Sequence, residues 1–116
     1  MVLTLVVDDD PAVLDLVASL LRDAGHEVTT AMNGVAAHDL LLDGSFDLCV
    51  LDHDLPGMTG LEVAGAARSA GVDARFVLVS GQRWLAHQRL DPVDEFVEKP
   101  FDPEELLQLI DTLMAP

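Results

Sequence analysis

The chain has 116 residues, half of them hydrophobic, and a formal net charge of −15 from 21 acidic and 6 basic side chains. That is the size of one ordinary domain, with enough apolar content for one packed core. The charge opposes direct nucleic-acid binding and attachment to anionic membranes, which need a basic footprint, and no apolar run approaches the roughly 20 residues that span a bilayer.

Strand-like and helix-like patterns alternate along the chain. The first apolar run, 3–7, ends on Asp8-Asp9-Asp10. A helix follows with Asp10 as N-cap and Pro11 in its first turn, a favoured pairing. Its expected apolar stripe is Val13, Leu16, Val17, Leu20, Leu21 and Ala24, and Gly25 stops it. A second strand is expected over 27–31. Asn33-Gly34 opens a second helix that runs to Leu42 and ends at Asp43-Gly44. The third strand, 47–51, leads into a loop over 52–59 and a helix over 60–70, which Gly71 stops. The fourth strand is 75–79, and a short helix over 82–90 ends at Asp91-Pro92. The fifth strand is 95–98. The last helix has Asp102 as N-cap, Pro103 next and Glu105 three residues on, which resembles a capping box; its stripe is Leu106, Leu107, Leu109, Ile110, Leu113 and Met114. Five strand–helix alternations argue for a parallel sheet covered on both faces.

Four of the strands end on polar residues, and open parallel sheets bind ligands at the carboxyl ends of their strands. Asp52 is the candidate nucleophile, because a carboxylate can attack a phosphoryl group to form an aspartyl phosphate. A lone aspartate after an apolar run is ordinarily a turn cap; here the surrounding Asp52-His53-Asp54-Leu55-Pro56-Gly57-Met58-Thr59-Gly60 favours chemistry. Asp8 and Asp9 are candidate Mg²⁺ ligands, since Mg²⁺ takes hard oxygens and needs only one or two carboxylates. Asp10 is assigned to capping. Ser80, beside Gly81, is a candidate hydrogen-bond donor to a phosphoryl oxygen, against the ordinary role of a turn serine. Lys99 is the sole lysine and lies between an apolar strand and Pro100, where a cis bond would aim it inward. Phe101 is expected beneath it. Phe96 is expected at the sheet edge near Ser80, as core and as part of the site. His26, His38, His53 and His87 do not share metal-ligand spacing and read as ordinary polar residues. Trp84 and Leu85 read as packing residues between Arg83 and Arg89, a small basic island that is either a solvated helix face or a docking surface.

The chain resembles the receiver domain of two-component response regulators over almost its whole length. The acidic pair Asp8-Asp9 after the first strand, the D-x-x-L-P-x-M-x-G run from Asp52 to Gly60, Ser80 after the fourth strand and Lys99-Pro100-Phe101 after the fifth occur in the family's order. The resemblance implies an α/β, flavodoxin-like (βα)5 doubly wound parallel sheet of strand order 2-1-3-4-5. It also implies Mg²⁺-dependent transfer of a phosphoryl group to Asp52 from a histidine kinase or histidine phosphotransfer protein. The metal would be held by Asp8, Asp9, Asp52 and the backbone carbonyl of Asp54. Ser80 would then move inward and Phe96 follow it, repacking the face made by the fourth helix, fifth strand and fifth helix. The departures are a segment between Ser80 and Phe96 that reads about one helical turn short, Asp91-Pro92-Val93-Asp94-Glu95 in place of the family's Gly-Ala before the aromatic, Phe96 in place of the common tyrosine, and Asp54 as a second carboxylate near the nucleophile. Asp54 is expected to alter the lifetime of the phosphate.

Two other readings compete. Asp52-x-Asp54 after an apolar strand is also the signature of haloacid-dehalogenase-type phosphatases, which use an aspartyl phosphate, a serine or threonine and a lysine. That reading leaves Asp8 and Asp9 unexplained and meets Pro56 where Thr or Val is expected. The third is a receiver-shaped binding module that is never phosphorylated. The sequence shows no signal peptide and a single cysteine, Cys49, inside an apolar run. The expectation is therefore a cytoplasmic protein, one domain over 1–116 with no output domain, that accepts a phosphoryl group and is not a turnover enzyme.

Overall fold

Every strand pairs in parallel with its neighbour, as the alternating pattern requires. The computed structural model describes residues 1–82 and 91–116. Its elements are β1 (Leu3–Val7), α1 (Pro11–Asp23), β2 (Glu27–Ala31), α2 (Gly34–Asp43), β3 (Leu48–Asp52), α3 (Gly60–Ser69), β4 (Arg75–Ser80), β5 (Glu95–Glu98) and α4 (Pro103–Met114). The sheet order is β2-β1-β3-β4-β5, the expected doubly wound arrangement. The helix expected over 82–90, with Arg83, Trp84, Leu85, His87 and Arg89, lies almost wholly outside the described residues.

Successive side chains of a strand point to opposite faces, and this splits the core in two. One face carries Leu5, Val7, Cys49, Leu51, Phe76 and Leu78 against Ala37 and Leu41 of α2 and Val63, Ala64 and Ala67 of α3. The other carries Val6, Val50, Val77 and Val79 against Leu14, Val17 and Leu21 of α1 and Leu106 and Ile110 of α4. The central strand β3 is buried at all five positions. That is why it reads as a continuous apolar run rather than an alternating one. Cys49 is wholly buried there, and burial pushes its thiol well above the ordinary range, which makes it inert.

Several helix boundaries have identifiable causes. Asp10 accepts from the Ala12 N–H and caps α1 with Pro11 in the first turn. Gly25, at φ +96, closes α1, with its N–H donated to Arg22 and that of His26 donated to Leu21, the paired bonds of a Schellman ending. The α1 stripe differs from the expected one by a small rotation: Leu14, Val17, Ala18 and Leu21 are buried, while Leu16 is 49% exposed. The 14, 17, 18, 21 spacing makes a narrower face than the six residues read from the sequence. The capping box also falls elsewhere. Asp102 accepts from the Glu104 N–H rather than pairing with Glu105, whereas Thr59 and Glu62 cap α3 reciprocally, at 3.2 Å and 3.0 Å. The Thr59 N–H bond holds the exposed Glu62 carboxyl below its usual range.

The segment that departs from the family's pattern ties α3 to the edge of the sheet. Asp94 Oδ2 accepts from the Phe76 N–H at 2.7 Å and from Arg68 at 2.9 Å, and the Asp94 N–H donates to the Phe76 carbonyl at 2.9 Å. Arg68 also donates to the Pro92 carbonyl and lies 4.9 Å over the Phe76 ring. Asp94 therefore satisfies both backbone groups of Phe76 one residue before β5 begins.

At the opposite end of the sheet the wholly buried Thr4 hydroxyl pairs with His26 Nδ1 at 2.8 Å. Burial lowers the His26 pKa below 6.5, against the opposing charge of Asp111 on α4. The unfolded chain therefore binds a proton more readily than the fold does. This contribution to stability is full above pH 6.5 and declines as pH falls toward the lower folded value. Denaturant unfolding between about pH 7 and pH 5 is expected to show a smaller loss of stability for His26→Gln than for the wild type. Equal losses would contradict the assignment.

Candidate functional site

The carboxyl ends of β1, β3, β4 and β5 converge because the parallel register brings Val7 beside Leu51, Asp52 beside Val79, and Ser80 beside Glu98. Asp8 then follows β1, Asp52 closes β3, Ser80 closes β4 and Lys99 follows β5. The strand holding Asp52 is β3 itself, one residue later than expected at both ends. Asp47 bends instead of joining it, and its carboxylate turns back to accept from the Leu3 N–H at 2.9 Å. β4 likewise extends through Ser80. The candidate nucleophile and the hydroxyl thus sit on sheet backbone rather than on loops.

Lys99 is the hub. Its Nζ lies 3.0 Å from Asp8 Oδ2 and 3.3 Å from Asp52 Oδ2, and the Lys99–Pro100 bond is cis. Asp8 and Asp52 are 4% and 5% exposed, so the two carboxylates meet Lys99 largely out of water, and Ser80 is fully buried. Asp8 Oδ1 is held by the Asp10 N–H at 2.9 Å and Asp52 Oδ1 by the Asp54 N–H at 3.3 Å. Burial pushes the Asp52 carboxyl above its usual range. Lys99 pulls it down, Asp8 pushes it up again, and the Asp54 N–H pulls it down. Burial alone would lower Lys99, but its bond to Asp8 and the charges of Asp52 and Asp8 together hold it above its ordinary value.

Among the described residues the carboxylates of Asp8, Asp9 and Asp52 make the only group of three or more His, Cys, Asp or Glu side chains able to share a metal ion. Their ligand atoms lie within 4.8 Å of one another. Hard carboxylate oxygens, mutually repelling and backed by one ammonium, are a donor set suited to Mg²⁺. No histidine belongs to the cluster: His26 is committed to Thr4, and His53 buries its Nδ1 without a hydrogen bond.

Phe96 lies on the edge strand opposite Leu78 and packs on the same core as Leu78. Ser80, two residues along β4 from Leu78, points to that same face of the sheet. Phe101 packs on the other face with Val97. Two further contributors have no individual role in the sequence reading. Gly60 is needed because a Cβ there would stand 2.6 Å from the Asp52 carbonyl oxygen and 2.9 Å from His53 Cα. Gln82 donates through its side-chain amide to Asp54 Oδ1. The glycine could have been found from its place in the D-x-x-L-P-x-M-x-G run; Gln82 carries no local signal.

The chain matches the response regulator receiver domain family over residues 4–111. It is 34% identical over 109 residues to the transcriptional regulatory protein DltR of Streptococcus agalactiae, covering 91% of this chain and 49% of that protein. The chain therefore spans about half the length of the regulators it matches. Among solved structures, the chemotaxis response regulator CheY4 of Vibrio cholerae superposes with a TM-score of 0.89 at 28% identity, covering 98% of this chain and 99% of that one. The response regulator TrrA of Thermotoga maritima, solved in complex with Mg²⁺ and BeF, superposes with a TM-score of 0.85 at 37% identity, covering 98% and 100%. The phosphatase reading gives way to this match. The chain belongs to the response regulator receiver domain family, the phosphoacceptor switches of two-component signalling.

Proposed function

We propose that Asp52 is the phosphoacceptor, that Asp8, Asp9 and Asp52 with the Asp54 backbone carbonyl hold Mg²⁺, and that Lys99 and Ser80 receive the phosphoryl oxygens. The observation that carries this reading is the Lys99 ammonium set between the buried Asp8 and Asp52 carboxylates. In the transfer an Asp52 carboxylate oxygen attacks the phosphorus of a phosphohistidine. The O–P bond forms as the P–N bond breaks, and the imidazole nitrogen leaves with the electron pair. Such a transfer needs little proton chemistry but much alignment and charge neutralisation. Bound Mg²⁺ supplies part of that neutralisation. Lys99 supplies a fixed positive charge that is already in place. Ser80 supplies a hydroxyl, and its move toward the phosphoryl group frees space on the face it shares with Phe96.

In this reading residues 1–116 form one receiver domain that works in the cytoplasm. A histidine kinase or histidine phosphotransfer protein is its donor and a downstream protein its target; the charge of −15 argues against nucleic acid as a direct partner. The domain hydrolyses its own phosphate slowly and does not turn over. The β5–α4 face carries the change outward. The reading is tested by intact mass after incubation with a small acyl-phosphate donor. The wild type should gain one phosphoryl group with Mg²⁺ and none with a chelator, and Asp52→Ala should gain none. A folded wild type that gains nothing would support the unphosphorylated binding module instead. Steady turnover of a phosphomonoester would contradict the switch.

A further inference from the structure

Asp54 leaves the sheet two residues after Asp52 and reaches across to the end of β4. Its Oδ2 accepts from the Ser80 hydroxyl at 3.5 Å, and its Oδ1 accepts from the Gln82 side-chain amide. The Gln82 backbone N–H donates to Ser80 Oγ at 3.1 Å. The Ser80 oxygen is thus engaged as an acceptor by backbone, and its proton is left for the Asp54 carboxylate. These bonds join the loop after β3 to the loop after β4, over a serine that is fully buried.

We propose that Asp54 and Gln82 form a clasp that positions the Ser80 hydroxyl in the resting state, and that uptake of a phosphoryl group at Asp52 requires the clasp to open. The inference rests on Asp52 being the acceptor. A Ser80 proton given to Asp54 is not available to a phosphoryl oxygen, so the two acceptors compete for one donor. A phosphoryl group also carries up to about two negative charges into the neighbourhood of the Asp54 carboxylate. The clasp and the phosphoryl group therefore disfavour each other, and loosening the clasp shifts the domain toward the phosphoryl-bound arrangement. Gln82 is the informative member because it is neutral. Removing its side chain frees Asp54 without changing the charge of the site. Were Asp54 to act only by repulsion, freeing it would weaken phosphoryl binding or leave it unchanged.

The test is a calorimetric titration of Mg²⁺ and beryllofluoride, a phosphoryl mimic, into the wild type, Gln82→Ala, Asp54→Ala and the double variant. Gln82→Ala is expected to bind the mimic about three- to tenfold more tightly, the range of one or two hydrogen bonds lost from the resting state. Gln82→Leu, similar in bulk but unable to bond Asp54, should behave alike. Asp54→Ala should also tighten binding, and adding Gln82→Ala to it should change nothing further. Equal or weaker binding in both Gln82 variants, with the wild type binding normally, would overturn the clasp alone. Failure of the wild type to bind the mimic would overturn the acceptor reading and the clasp with it.

Discussion

Lys99→Met is expected to slow phosphoryl uptake from a small acyl-phosphate donor by about 10²- to 10³-fold, the usual cost of losing one preorganised donor aimed at developing charge. Lys99 Nζ contacts Asp8 at 3.0 Å and Asp52 at 3.3 Å. Methionine keeps the length of the chain and removes the charge, so the loss would report electrostatics rather than packing. The same substitution leaves Asp8 and Asp52 facing each other without a counter-charge, and a divalent cation is the remaining group that can neutralise them. Affinity for Mg²⁺ should therefore rise while the rate falls. This opposed pair of changes separates a role in transfer from simple damage to the site, which would weaken both. Uptake near the wild-type rate would remove Lys99 from the mechanism.

Asp94→Ala is expected to destabilise the fold by about 2–3 kcal/mol, with the denaturant midpoint lowered and the slope unchanged. Phe76 is fully buried, and its N–H loses the 2.7 Å bond to Asp94 Oδ2. An unsatisfied buried donor carries most of the expected cost. The Arg68 pair adds less, because Arg68 is 29% exposed and Asp94 22%, and half-solvated pairs contribute little. Asp94→Asn keeps an acceptor for Phe76 and should lose about half as much. A loss within about 0.5 kcal/mol for Asp94→Ala, the range of ordinary surface changes, would show that the Phe76 N–H finds another partner.

These two residues mark where the sequence was and was not legible. The site ends of the strands could be read because each apolar run stops abruptly on a polar residue, and Lys99 could be read because it is the only lysine in the chain. The sheet order came with the resemblance. Local misreadings were small and had local causes. On α1 the leucines at 14, 16, 20 and 21 permit two overlapping stripes, and only packing selects Leu14, Val17, Ala18 and Leu21. At α4 both Glu104 and Glu105 follow Asp102, and the cap bond goes to the N–H of the first. Thr59-x-x-Glu62 carries a capping-box pattern but lay at a boundary that the surrounding motif dominated. What was not legible is long-range. Asp94 meets residues 18 and 26 positions away, and Asp54 meets Gln82 from 28 positions away. No local periodicity encodes such pairs. The unusual 91–95 stretch was visible as a departure, but its role in holding α3 to the sheet edge appears only with the fold.

The most direct test of the acceptor assignment locates the phosphoryl group itself. The wild type would be phosphorylated in the presence of Mg²⁺, reduced with borohydride to convert an acyl phosphate to the alcohol, and mapped by peptide mass spectrometry. Homoserine at position 52 alone is the predicted result. Homoserine at position 8, 9 or 54, or a phosphoryl group that resists reduction on another residue, would contradict it.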